Sequence, residues 1–118
     1  MEGVSFVLKK NCAAMEKAGL KPTAIIATGG GAKSPVWCQL NADITGLPVR
    51  IPAEKEAACL GAAIIAAVAD GQFPDYTAAA EALVSFSQTY TPNPTPRLEA
   101  KYRKFQALYE AGLKIAKL

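Results

Sequence analysis

An α/β fold, with parallel strands flanked by helices, follows from three features of residues 24–52. Ala24–Thr28 is a short apolar run rich in β-formers. A helix with clear start and stop residues follows, from Ser34 to Gly46. Leu47–Pro52 is then a second short apolar run, closed by prolines. Strand, helix and strand in this order make a β-α-β unit.

The elements around it can be taken in order. Glu2 to Ala18 reads as a helix with Val4, Leu8, Asn11/Cys12 and Met15 on one face and Lys9, Lys10, Glu16 and Lys17 off it. Gly19-Leu20 suits its C-cap, with Leu20 supplying a hydrophobic contact. Opening on a helix, with no lead-in strand, is read as an excised piece of a larger domain. In the central helix Ser34 is the expected N-cap and Pro35 suits the first helical position. Val36, Leu40 and Asp43/Ile44 recur at helical spacing, and Gly46 is the stop. A helix from about Glu54 to Asp70 ends at Gly71. It combines a small-residue surface (Ala57, Ala58, Gly61, Ala62, Ala63, Ala66, Ala67) with an apolar stripe of Leu60, Ile64 and Val68. Phe73–Tyr76 is a turn, Thr77–Ser85 a short helix capped by Thr77, and Gln88–Thr95 an extended connector. The last helix, about 96–117, has Thr95 as cap and Pro96 in its first turn, with Leu98, Tyr102, Phe105, Tyr109 and Leu113 on one face.

Composition narrows the function. The chain has 118 residues, 51% hydrophobic and 19% charged, enough for one core and too few for two. No run approaches the ~20 apolar residues of a membrane span. Lys9 and Lys10 follow the first apolar residues, the reverse of a secretory signal. A formal charge of +3 helps to hold an anion but does not argue for nucleic acid. The basic residues of the last helix are read as a solvated face. Three widely spaced cysteines (Cys12, Cys38 and Cys59) and no histidine exclude zinc sites and Ser-His-Asp or Cys-His catalysis. Each cysteine lies in an apolar helical pattern, so buried reduced thiols and a cytoplasmic location are expected.

The chemistry is expected at Gly29–Gly31, between the first strand and the capped helix. Glycines let a ligand approach the backbone, and a helix N-terminus favours negative charge. Two familiar motifs fail here. A P-loop requires glycine at 27 and 32, where alanine stands; a dinucleotide fingerprint puts Ser34 at its third glycine and lacks the acid at the end of the next strand, which leads to Glu54 and Glu56. Ligand contact is still favoured over a turn that merely lets strand and helix pack.

The segment GGGAKSPVWCQLNADITGLPV, followed by a strand and EAACLGAAIIAA, resembles the C-terminal domain of FGGY carbohydrate kinases, above all their xylulokinase-like branch. The likeness runs from about Glu2 to the C-terminus. It implies a fragment of an actin-like (ribonuclease H-like) ATPase domain, with residues 1–118 forming part of a C-terminal nucleotide-binding domain. By the same resemblance, Gly30, Gly31 and Ala32 line the adenosine and α-phosphate of ATP, and Ser34 presents a polar side chain to the adenine. The parent would transfer the γ-phosphate of ATP to a sugar hydroxyl, xylulose or a related sugar or polyol, with Mg²⁺ bridging phosphates. Its catalytic base and sugar site are expected upstream, and Asp43, Asp70 and Asp75 are not promoted to that role. Neither nucleic acid nor membrane is an expected partner.

Two other readings stay open: a stand-alone nucleotide-binding or regulatory module on this fold, and a Rossmann-like dinucleotide-binding domain. Two strands make a sheet too small to cover both faces, so an open edge and apolar surface are expected, inviting self-association into a homo-oligomer or added mobility.

Overall fold

A computed structural model describes residues 2–118. Helix α1 (Glu2–Lys17) ends on Gly19, whose φ of 88° is left-handed, and the Leu20 N–H returns to the Met15 carbonyl at 2.9 Å. Strand β1 (Ile25–Ile26) leads through a 3₁₀ turn (Gly30–Lys33) into helix α2 (Pro35–Thr45). Strand β2 (Val49–Pro52), helices α3 (Ala57–Ala69) and α4 (Tyr76–Leu83), strand β3 (Phe86–Tyr90) and helix α5 (Pro96–Ala116) complete the chain.

The sheet order is β1-β2-β3. β1 and β2 are parallel, Ile25 opposite Val49, as the β-α-β reading requires. β3 was not anticipated. It pairs antiparallel with β2, Tyr90 opposite Val49, with an irregularity at Ile51/Pro52. The extended connector therefore begins as a strand, and the sheet is mixed. Pro52 falls at the strand end, where a missing N–H disturbs the ladder least.

The core lies between α2 and the sheet. Cys38 and Ala42 from α2 meet Val49 and Tyr90, with Ile25, Ala27 and Ile51 against them. This differs in part from the expected α2 face: Ile44 is buried and Leu40 half-buried as expected, but Val36 is 73% exposed, and Cys38 and Ala42 are the other buried positions. On α1 the buried residues are Ser5 and Phe6, whereas Val4 and Met15 are exposed. Ser5 Oγ donates to Asn41 Oδ1 at 2.5 Å, joining α1 to α2. Phe6 packs with its ring tilted against Tyr102 and Phe105 of α5, with ring centroids 5.7 and 5.5 Å away.

The remaining helices sit more openly. α4 is capped by Asp75, whose carboxylate accepts the Ala78 N–H at 2.8 Å, and not by Thr77. α3 contains no fully buried residue; its stripe of Leu60, Ile64 and Val68 is half-buried and most of its alanines face solvent. The radius of gyration, 17.6 Å, exceeds the roughly 13–14 Å expected of a compact domain this size. The shape is elongated, and large apolar side chains such as Leu20, Ile26, Val36 and Ile65 are exposed.

Candidate functional site

The glycine turn is fastened to α2 from below. Ser34 caps the helix as its sequence predicts: its Oγ accepts the Trp37 N–H at 3.3 Å, and Pro35 follows at the first helical position. The Ser34 N–H in turn donates to the Gly31 carbonyl at 3.2 Å, and the Ala32 N–H to the Gly29 carbonyl at 3.2 Å. Cys38, buried in the core, brings its Sγ to 3.7 Å from both the Gly31 and Ala32 carbonyls. Burial pushes this thiol's pKa up, which keeps it a neutral donor.

The three glycines have different reasons for being glycine. Gly29 stands at φ 79°, ψ −160°, a backbone region essentially closed to other residues. Gly31 has an ordinary backbone, but a Cβ there would strike the Trp37 ring, 2.8 Å from Cε3 and nearer still to Cζ3. Gly30 meets neither constraint: its φ is not positive, and nothing lies within 4 Å of where its Cβ would be. The turn therefore has an inner side, filled by tryptophan, and an outer side that is open at Gly30.

The candidate residues Gly30, Gly31, Ala32 and Ser34 thus share one turn and the start of one helix. Their roles divide. Gly30 faces open space, Gly31 faces Trp37, and the Ser34 hydroxyl is engaged as a cap. Trp37, a residue of the GGGAKSPVWCQ stretch that carries the resemblance but given no role there, proves central to the turn. Lys33, the last residue of the turn, is exposed and places a positive charge at the same edge.

Two shallow recesses lie elsewhere. One of about 220 Å³ between α1 and α5 is lined by Lys10, Lys17, Tyr102 and Glu110, and one of about 130 Å³ is lined by Asp43, Thr45, Pro94 and Leu98. Among the described residues no group of three or more acids and cysteines is arranged to hold a metal ion. Cys12 is half-buried and Cys59 is exposed, which corrects the expectation that all three thiols are buried. At the start of α3 the Glu54 carboxylate accepts the Glu56 N–H at 3.0 Å.

Residues 1–69 match the family described as the FGGY family of carbohydrate kinases, C-terminal domain. An autoinducer-2 kinase from Enterobacter sp. (strain 638) is 40% identical over 111 residues, 92% of this chain and 21% of that protein. The crystal structure of a xylulose kinase from Rhodospirillum rubrum superposes with a TM-score of 0.79 at 30% identity, covering 93% of this chain and 23% of the other. A glycerol kinase from Plasmodium falciparum, solved with ADP, shares the fold alone: TM-score 0.73 at 19% identity, 96% of this chain and 22% of the other. The chain spans about a fifth of the length of the relatives it matches.

Proposed function

This chain belongs to the FGGY family of carbohydrate kinases, and on that premise we propose that its glycine turn forms the adenosine and α-phosphate wall of an ATP site. The observation that carries the reading is Gly30: it lacks a side chain although neither its backbone nor its neighbours demand this. The open space over this residue leaves room for a ligand to lie against the peptide. The adjoining N-terminus of α2 and the exposed Lys33 both favour a phosphate on that side. Ala32 borders the same surface. Ser34, its hydroxyl accepting from Trp37, contributes by holding the helix start in place and reaches the adenine only through its remaining hydrogen-bonding capacity.

The acceptor in this reading is a hydroxyl of a sugar or polyol. Its contacts, and the base that deprotonates it, fall to parts of the kinase outside these residues. The chemistry ATP supplies is a transferable γ-phosphoryl group. Mg²⁺ in this reading is held mainly by the nucleotide phosphates and water, the usual arrangement for this ion, and not by a cage in this chain. The family makes the Rossmann-like alternative unnecessary. A cytoplasmic setting belongs to the same reading; no helix among the described residues is long and apolar enough to cross a membrane.

The single tryptophan makes the test direct. Titration of the chain with ADP is expected to alter Trp37 fluorescence and to shift the amide resonances of residues 28–36, Gly30 most strongly. Shifts confined to residues remote from 28–36 would sink the reading.

A further inference from the structure

We infer that Trp37 is a positioning residue for the glycine turn. Its ring, seated where Gly31 has no side chain, sets the height at which the Gly29–Gly30 backbone is offered to the nucleotide. The nucleotide part rests on the function proposed above; the turn-setting part does not. Three observations carry it. The six-membered edge of the indole fills the volume of a Gly31 Cβ, so ring and glycine are matched in shape. The Gly31 carbonyl is tied to the Ser34 N–H and approached by the Cys38 thiol, which pins the peptide from the α2 side while the ring supports its α-carbon. The indole Nε1 is shielded from solvent and has no acceptor among the described residues. A buried N–H without a partner costs stability, so this ring is not held by a hydrogen bond of its own and is kept in spite of one it lacks.

The consequence separates Gly31 from Gly30. Gly31 is closed to a side chain by Trp37, whereas Gly30 is open to whatever approaches from outside. A clash with a rigid, half-buried ring is relieved only if the ring or the turn moves. A side chain at Gly31 therefore acts on the ligand by displacing the turn.

The test is a double-mutant cycle on the full chain with Gly31→Ala, Trp37→Leu and both together. Two readouts are taken: amide exchange of Ala32 and Ser34, whose N–H groups close the turn, and affinity for ADP by calorimetry. Each single variant is expected to lose protection at these two amides by about tenfold, with a matching loss of ADP affinity. The double variant, where the alanine methyl enters space vacated by the indole, is expected to return to within about threefold of the parent on both readouts. Exchange of core amides in β2 reports whether a variant has simply unfolded, and Trp37→Phe, which keeps an aromatic ring, is the milder substitute if Trp37→Leu does. Additive losses in the double variant would overturn the inference. So would native protection at Ala32 and Ser34 in Gly31→Ala combined with lost ADP affinity, which would put the ligand itself in the Gly31 space. If the parent binds no ADP, the nucleotide reading fails, and the exchange cycle alone still decides whether Trp37 sets the turn.

Discussion

The carboxylate of Asp43 accepts the backbone N–H of Asn93, fifty residues further along the chain, at 2.8 Å. The same oxygen accepts from Gln39 Nε2 at 2.7 Å, and Gln39 also donates to the Thr91 carbonyl at 2.8 Å. Two α2 side chains thus fasten the proline-bearing segment that links β3 to α5, which gives this acid a structural role. Asp43→Ala should cost about 1–2 kcal/mol, the usual result of removing a hydrogen-bonded acceptor from a partly buried network. Asp43→Asn, which keeps one acceptor oxygen, should cost less. Urea denaturation measures both, and loss of exchange protection at Asn93 in the alanine variant assigns the effect to the strap.

The helix caps permit a second prediction. Ser34→Ala removes the acceptor for the Trp37 N–H and should destabilise the chain by about 1 kcal/mol, while Ser34→Asp should retain most of the stability. Thr95→Ala should cost less than Ser34→Ala, because the Thr95 bond to the Leu98 N–H is longer, 3.4 Å, and exposed. Equal losses at the two sites, read from denaturant midpoints, would contradict this ordering.

These caps were legible because their determinants are local. Ser34-Pro35, Gly46 and Thr95-Pro96 carry the reason for a helix end within one turn of it, and all three stand where the sequence put them. Strand β3 was not legible as a strand. Its partner lies more than thirty residues earlier, and the prolines at 92 and 94 drew attention away from the alternation of Phe86, Gln88 and Tyr90. The faces of α1 and α2 were misread for a different reason. Helical periodicity finds an apolar stripe but does not say which stripe has a neighbour, and here Ser5 and Cys38 are buried while Val4 and Val36 are not. At the glycine turn the motif located the site, yet the division of labour among its glycines depends on the Trp37 ring, six residues beyond Gly31, and on a φ of 79° at Gly29.

Acid should loosen the contact between the two terminal helices. Hydrogen bonding to Lys101, 2.7 Å away, is the main cause that lowers the Glu2 pKa from its ordinary value of 4.5; the charges of Lys101 and Arg97 add to it and partial desolvation opposes it. A carboxylate with a lowered folded pKa contributes stability above its unfolded pKa and loses it as pH falls through the folded value. The contribution should be intact at pH 7, begin to decline near pH 4.5 and be gone once pH lies below the lowered pKa. The pair is partly exposed, so the effect is small and weakened by salt. Melting temperatures of the parent and Lys101→Met should converge on acidification, and a constant gap from pH 7 down to pH 3 would count against the assignment.

Thiol reactivity should follow exposure. In the native chain a disulfide reagent should modify Cys59 first, since it is exposed on α3, and Cys12 more slowly. The Cys12 pKa is raised by burial and by the nearby charge of Glu16, so less thiolate is available. Cys38 should react only when the chain unfolds, because it lies in the core with its pKa raised by burial. Mass spectrometry of quenched samples gives the order, and early labelling of Cys38 would show that the contact between α2 and the sheet opens readily.

The last prediction concerns turnover. Phosphoryl transfer requires the attacking hydroxyl, its base, the metal and the γ-phosphate held in line, so its rate depends almost wholly on positioning and charge stabilisation. In the reading proposed here, this chain offers one wall: an open turn at Gly30, a helix N-terminus and one exposed lysine. One wall buries only part of a ligand that enclosed sites cover on most of its surface, so ADP should bind weakly. It also leaves the γ-phosphate without a partner for in-line attack. The isolated chain should therefore show no sugar-dependent ADP release with a panel of pentuloses, hexuloses, gluconate and polyols, even at concentrations where ADP shifts the resonances of residues 28–36. A control assay with a complete family kinase fixes the sensitivity of the measurement. Sugar-dependent turnover by the chain alone would mean that a base and a sugar site lie within these residues, and Asp43, Asp70 and Asp75 would then have to be tested individually by substitution with asparagine.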